Sequence, residues 1–295
     1  MSLALYAAVL TPFGDDEDLA LVYVPRYLDF LLERGVEGLL VLGTNGEFAS
    51  LTLDERKAVL EAFLQAARGR VPVVVNIGAT AVPDVIALAR HAAGAGADGV
   101  ALLPPYYFPL TDDGFTALAE RAATAFGQAI YLYNIPRYTG YAIPPEVVAT
   151  CVARGLARGL KDSSQDLDYF ADVRARVPSA EIFVGSDTTL VEGLEAGADG
   201  VVSGVANTYP ELIAAIVRAY RDGSAELPAL RARLLAVREL FGRYPYLAAT
   251  RHALRLRGLP LGPPRRPLVP VPPEQRGELT EALADLHRAL EEAPG

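Results

Sequence analysis

The hexapeptide Ala95-Gly96-Ala97-Asp98-Gly99-Val100 recurs as Ala196-Gly197-Ala198-Asp199-Gly200-Val201. Each copy closes a helical segment and opens a short apolar run. Outward from these two points, β-rich apolar runs alternate with helical segments of roughly 10 to 16 residues. The runs are Leu5–Leu10, Gly38–Leu42, Val71–Ile77, Gly99–Leu103, Ala129–Tyr133, the run carrying Lys161, Glu181–Val184 and Gly200–Ser203. Eight βα units on short connections, within about 220 residues, predict an α/β fold: a closed (β/α)8 TIM barrel. The hexapeptides then lie four strands apart, half a turn of the barrel. An open doubly wound sheet would need a Gly-x-Gly-x-x-Gly turn after its first strand. Thr11-Pro12-Phe13 stands there instead.

Past Asp222 the strand signals stop. Ala225–Phe241, Tyr246–Arg257 and Glu274–Leu290 read as helices, and the proline-rich Leu259–Pro273 as extended chain over the surface. The chain therefore divides into a barrel, residues 1–222, and a helical extension, residues 223–295. The extension is expected to pack on the barrel or on another subunit.

With 295 residues, 51% of them hydrophobic, the chain can bury a large core. A net charge of −9 without a basic stripe argues against nucleic acid and against an anionic membrane surface. No apolar run reaches transmembrane length. Met1-Ser2-Leu3-Ala4-Leu5-Tyr6 lacks a basic n-region, so no signal peptide is expected. The single Cys151 excludes an internal disulfide and fits a reducing cytoplasm. It reads as a small core residue of a helix.

Of the 27 Lys plus Arg, only Lys57 and Lys161 are lysine. Lys57 lies in a helix opened by the capping box Thr52-Leu53-Asp54-Glu55, off its apolar stripe, and is expected to pair with Glu61. Lys161 ends an apolar run. Arginine cannot supply a free amine, whereas a desolvated lysine can attack a carbonyl carbon. A free lysine titrates near pH 10.4, so a neutral amine at pH 7 costs roughly 4 kcal/mol. An apolar barrel floor could supply that by desolvation. The competing reading is a lysine snorkelling from a strand end.

The reactive face of such a barrel is the carboxyl ends of its strands. The four asparagines, Asn45, Asn76, Asn134 and Asn207, all fall at or just past such ends. Thr44, Tyr106, Tyr107, Tyr133, Ser163, Ser186 and Asp187 join them on this rim. His91, His252 and His287 read as helical residues outside it. Tyr133, one strand from Lys161, is the best-placed proton carrier, with Thr44 and a second phenol as relay. A core tyrosine with a satisfied hydroxyl is the structural alternative. The rim has no clustered His with carboxylates or Cys, so neither metal nor cofactor is expected. The seventh and eighth loops lack a glycine-rich N–H cradle for phosphate.

These motifs resemble a known family. Gly43-Thr44-Asn45-Gly46-Glu47, Tyr106-Tyr107, Tyr133-Asn134-Ile135-Pro136 with Thr139-Gly140, and Gly159-Leu160-Lys161-Asp162 follow the order and spacing of the dihydrodipicolinate synthase/N-acetylneuraminate lyase family. The likeness runs from Thr11 to the proline-rich segment. It implies a barrel with a helical C-terminal extension, a homotetramer or homodimer, and class I pyruvate chemistry. Lys161 would form the Schiff base with a 2-oxo acid, and Tyr133 would carry protons. Thr44 would link Tyr133 to Tyr107, a tyrosine that this family usually takes from a neighbouring subunit. The Thr44 and Asn45 backbone would hold the pyruvate carboxylate, with Glu47 bracing the loop before its helix.

Departures from the pattern bear on substrate. The synthases typically read Tyr-Asn-Val-Pro-x-Arg-Thr-Gly, where the arginine meets the second substrate's carboxylate. Here Tyr138 holds that place and Arg137 precedes it, and in an extended segment a one-residue shift redirects a side chain. Thr44-Asn45 replaces the common Thr-Thr pair, as in some 4-hydroxy-2-oxoglutarate aldolase-like members. Gly185-Ser186-Asp187 resembles the 2-keto-3-deoxygluconate aldolases, where such groups meet substrate hydroxyls; Ser163 is placed with them. The resemblance thus implies a lyase that makes or breaks a C–C bond of a 2-keto-3-deoxy sugar acid or 4-hydroxy-2-oxo acid, with pyruvate and an aldehyde as its halves. The alternatives are 4-hydroxy-tetrahydrodipicolinate synthase, a dehydratase on the same Schiff base, and a non-catalytic homologue that binds a 2-oxo acid.

Overall fold

The computed structural model describes residues 3–291. The Met1-Ser2 start of the N-terminal reading and the end of the extension, 292–295, lie outside them. Eight parallel strands close into a barrel in sequence order: β1 (Ala4–Ala8), β2 (Gly38–Val41), β3 (Val73–Asn76), β4 (Gly99–Leu102), β5 (Ile130–Asn134), β6 (Ala157–Asp162), β7 (Glu181–Val184) and β8 (Gly200–Ser203). β8 closes on β1 in the register Ala4↔Gly200. Around them run α1 (Val24–Leu32), α2 (Leu53–Ala67), α3 (Val82–Ala95), α4 (Asp112–Phe126), α5 (Pro136–Thr139), α6 (Pro145–Ala153), α7 (Leu167–Arg176), α8 (Leu190–Glu195) and α9 (Pro210–Asp222). The extension adds α10 (Leu227–Gly242), α11 (Tyr246–Leu256) and α12 (Pro273–Glu291). Among the described residues no helix is long and apolar enough to cross a membrane. Cys151 is buried in α6, as expected. Lys57 pairs with Asp54 at 2.8 Å rather than with Glu61, which reaches across to His91. The capping-box turn puts Asp54 as close to Lys57 as Glu61 would be, on the same exposed face.

The repeated hexapeptide does the same work in both places. Gly96 and Gly197 take positive φ, +82° and +92°, and end their helices. Ala97 and Ala198 then donate their N–H groups back to Ala92 and Gly193, each at 3.0 Å. Asp98 accepts the N–H of Val73, and Asp199 that of Ile182, both at 2.8 Å. Each aspartate thus ties the incoming strand to the one before it. The glycines make room: a Cβ on Gly99 would lie 3.3 Å from the Tyr131 ring, and one on Gly200 would meet the Ala4 carbonyl oxygen of β1 at 2.4 Å and the Phe183 ring at 3.0 Å.

Those rings fill the barrel floor. One side chain from each strand lines a single small void of about 20 Å³: Tyr6, Leu40, Val74, Ala101, Tyr131, Lys161, Phe183 and Val202. Tyr6 and Tyr131 stand edge-on to Phe183, at centroid distances of 5.3 and 5.9 Å. Burial, with Glu181 nearby, pushes the Tyr6 phenol up to about 12. The Tyr131 hydroxyl donates to Glu181, which Arg158 holds at 2.8 Å. The Tyr131 hydroxyl is therefore paired at the amino end of the floor, and apolar surface lines the void beneath Lys161.

The extension is stapled to the loop that follows β2. Arg251 of α11 and Glu47 are both buried and pair at 2.5 Å. Arg251 also donates to the carbonyls of Thr11 (2.8 Å) and Leu261 (2.7 Å). The second Glu47 oxygen accepts the N–H of Arg265 at 2.9 Å. The proline-rich segment is thereby pinned as extended chain, with Leu259 and Leu261 buried beneath it. Glu47 itself is left-handed, with φ of 55°, so these bonds hold a backbone shape that it would not choose alone. We expect Glu47→Gln to cost about 3–5 kcal/mol of unfolding free energy, because it leaves the Arg251 charge buried and uncompensated. Urea titration should show that loss, with part of it recovered in the Glu47→Gln, Arg251→Met double variant.

Candidate active site

Lys161 and Tyr133 are register partners on β6 and β5, so both side chains leave the sheet on one face. Both are buried. The Lys161 Nζ lies 3.8 Å from the centroid of the Tyr133 ring. The Tyr133 hydroxyl is 3.3 Å from Thr44 Oγ1. An amine, a phenol and an alcohol thus form one short chain. Such a chain can accept and return protons at a carbon held over the amine.

Lys161, Tyr133, Thr44, Asn45, Ser163, Ser186 and Asp187 all line one cavity of about 420 Å³ at the carboxyl end of the barrel. Tyr107 does not join them. It is 78% exposed, its ring edge-on to Phe108. Tyr106, itself partly exposed, stands edge-on against Phe48 and lines a second, more apolar cavity of about 350 Å³ that shares Thr44, Ile135 and Tyr138 with the first.

Several rim residues hold the scaffold rather than facing the cavity. Asn76 donates to the Leu42 carbonyl and accepts from Gly78 N–H. Asn134 donates to Asp162 at 2.8 Å and accepts from Ile143 N–H at 3.0 Å. Asn207 accepts the Tyr27 hydroxyl and donates to Ala8 and Gly204. Only Asn45 of the four faces the cavity. Asp187 lines it, but its carboxylate accepts the Ser203 hydroxyl and the N–H groups of Gly204 and Val205. Burial pushes the Asp162 carboxyl above its ordinary value, against hydrogen bonds from Asn134 and Ser164. Among the described residues, no cluster of three or more His, Cys, Asp or Glu is placed to hold a metal ion.

One expectation needs correction. The Pro136–Thr139 segment is a turn of helix, α5, and not extended chain. A one-residue shift there rotates a side chain by about 100° rather than onto an opposite face. Arg137 and Tyr138 therefore both line the cavity, the guanidinium stacked 5.2 Å above the Tyr138 ring. The sequence reading also missed Gln165, Arg238, Tyr244 and Tyr246 on the cavity wall. For Arg238 there was a signal. It falls four residues after Leu234 and three before Phe241, both buried, so a cation stands on the inward face of α10.

The dihydrodipicolinate synthetase family model matches residues 1–286. The chain belongs to this family. It is a lyase of the class I aldolase type. It is 38% identical to a 4-hydroxy-tetrahydrodipicolinate synthase of Salinibacter ruber, over 77% of this chain and 79% of that one. It is 31% identical to a probable 2-dehydro-3-deoxy-D-pentonate aldolase of Escherichia coli, over 86% of each. The crystal structure of YagE from Escherichia coli K12, a family protein in complex with pyruvate, superposes with a TM-score of 0.92 at 28% identity, covering 97% of this chain and 98% of that one.

Gly204 offers a check on the cavity wall. A Cβ there would lie 2.7 Å from Asn45 Nδ2 and 2.8 Å from the Tyr246 hydroxyl. Gly204→Ala should displace the Asn45 side chain and raise the KM for a 2-oxo acid, with thermal unfolding little changed. An unaltered KM would mean that Asn45 does not shape the binding end.

Proposed function

We propose that Lys161 forms a Schiff base with a 2-oxo acid and that the enzyme cleaves or forms the C–C bond next to the resulting enamine. The observation that carries this reading is the buried chain Lys161–Tyr133–Thr44. The Lys161 amine adds to the keto carbon, and water leaves to give the imine. Tyr133 then takes the proton of the C4 hydroxyl as the C3–C4 bond breaks. The bonding electrons pass to the enamine, and the aldehyde departs. Reprotonation and hydrolysis release pyruvate. The Thr44–Asn45 loop receives the carboxylate, and its position depends on the Glu47–Arg251 staple.

The substrate we propose is a 2-keto-3-deoxy sugar acid or a 4-hydroxy-2-oxo acid. Ser163, Ser186, Gln165, Tyr244 and Tyr246 line the cavity beyond Lys161 and offer hydroxyl and amide partners along a polyhydroxylated chain. The pentonate aldolase relative supports this choice. The synthase relative keeps condensation of pyruvate with aspartate semialdehyde as the second reading. Helical α5 favours it too, since Arg137 stays on the cavity wall.

We further propose that the partner subunit's Tyr107 completes the relay at Thr44, entering through the apolar cavity beside Tyr106. Mixed oligomers of Tyr107→Phe and Lys161→Ala chains should then recover activity that neither parent shows. Recovery no greater than the sum of the parents would place Tyr107 outside the relay.

Borohydride added with pyruvate should deliver hydride to the imine and fix a mass increment on Lys161, and Lys161→Ala should show none. Tyr133→Phe should lower kcat by roughly 10²–10⁴-fold with the fold intact by circular dichroism. Release of pyruvate from 2-keto-3-deoxygluconate, compared with condensation of pyruvate and aspartate semialdehyde, separates the two substrate readings. Turnover confined to the second assay would overturn our choice, and the absence of an adduct would overturn the chemistry.

A further inference from the structure

The charge around the cavity does not balance. Its wall carries Lys161, Arg137 and Arg238 against one carboxylate, Asp187, in a chain whose net charge is −9. Asp187 is already engaged by a hydroxyl and two backbone N–H groups. On the reading above, the amine is consumed by the keto group and the adjacent carboxylate goes to the Thr44–Asn45 loop. Two guanidinium groups are left over.

Neither has a counter-charge. Among the described residues no carboxylate comes within ion-pair distance of the exposed Arg137 or the half-buried Arg238, whereas Arg174, Arg251 and Arg265 each have one and the buried Arg56 instead donates to the carbonyls of Asn76 and Gly78. Arg238 is the sharper case. Its guanidinium carbon lies 4.6 Å from the Tyr246 ring centroid, and its Nε is buried with no hydrogen-bond partner. A buried donor left unpaired is costly and uncommon. Arg238 gives one hydrogen bond to the Tyr246 hydroxyl, and a guanidinium set against an aromatic ring in this way keeps its remaining edge donors for a planar or tetrahedral anion. Arg137, stacked on Tyr138 at the same wall, is parked in the same way.

We propose that Arg238, assisted by Arg137, binds a second negative group at the end of the substrate remote from the keto carbon. The substrate class is therefore a 2-oxo acid with a terminal carboxylate or phosphate, and Arg238 is the residue that selects it. This rests on the Schiff-base reading of Lys161 and adds the far end of the same molecule. The charge comes from side chains of α5 and α10, so no glycine-rich loop is required.

Competitive borohydride trapping tests it. The wild-type enzyme is offered equal concentrations of 2-oxoglutarate and 2-oxopentanoate, which share a five-carbon chain and differ in a terminal carboxylate against a methyl group. We expect the dianion adduct on Lys161 to dominate by roughly tenfold to a hundredfold, as for one or two charged hydrogen bonds. Arg238→Gln should bring the ratio close to one, Arg238→Lys should keep part of it, and the distant surface variant Arg90→Gln should not move it. Added salt should erode the wild-type preference, a readout that needs no variant. A second arm compares kcat/KM for 2-keto-3-deoxygluconate and its 6-phosphate. A preference confined to this arm assigns the terminal group as phosphate; a preference confined to trapping assigns it as carboxylate. Equal adducts in wild type together with equal kcat/KM values, or an Arg238→Gln variant that weakens both competitors alike, overturns the proposal while a pyruvate adduct still upholds the Schiff base. No adduct with any 2-oxo acid overturns both.

Discussion

Closing the sheet brings one side chain from every strand to the floor of the lumen, and that floor must be filled without large voids. Three aromatic rings and four aliphatic side chains do most of the filling, and the remaining place is Lys161. The amine's position is therefore a packing result before it is a chemical one. Glycines at the strand starts, Gly38 and Gly99 among them, leave space for the Tyr6 and Tyr131 rings. The rings in turn keep water from reaching the lysine from below. Tyr133 follows from the same closure, because the register of β5 on β6 sets it beside Lys161.

The barrel does not make its own mouth. Tyr244 and Tyr246, together with Arg238 of α10, come from beyond the last strand, and Arg251 from the same region fixes the loop that bears Thr44 and Asn45. The barrel sets the reacting centre, while the extension shapes what lies around it. That division fits a family in which one reacting end serves relatives with different names, a synthase and a pentonate aldolase.

What could be read from the sequence was whatever depends on local pattern. The eight strands came from short apolar runs, and Lys161 stood out against a background of arginine. The hexapeptide marked two equivalent helix-to-strand joints, whose aspartates turned out to bond their neighbouring strands. Pattern misled where polar residues gather for structural reasons. Asn76, Asn134 and Asn207 lie at strand ends because backbone groups there lose their ladder partners and need side-chain ones. The helical form of α5 was hidden, since a proline and a glycine four residues apart suit an extended turn as well. Arg251 was unreadable as the partner of Glu47, 204 positions away. Only the docking of α11 brings them together.

That pairing has a consequence for the order of synthesis. Glu47 leaves the ribosome in the first sixth of the chain, and its partner arrives when all eight strands have been made. Until then its carboxylate has no counter-ion in the pocket it will occupy, so the loop bearing Thr44 has little reason to settle into its left-handed turn. The loop bearing Thr44 therefore reaches its final shape only once α11 has docked on the barrel.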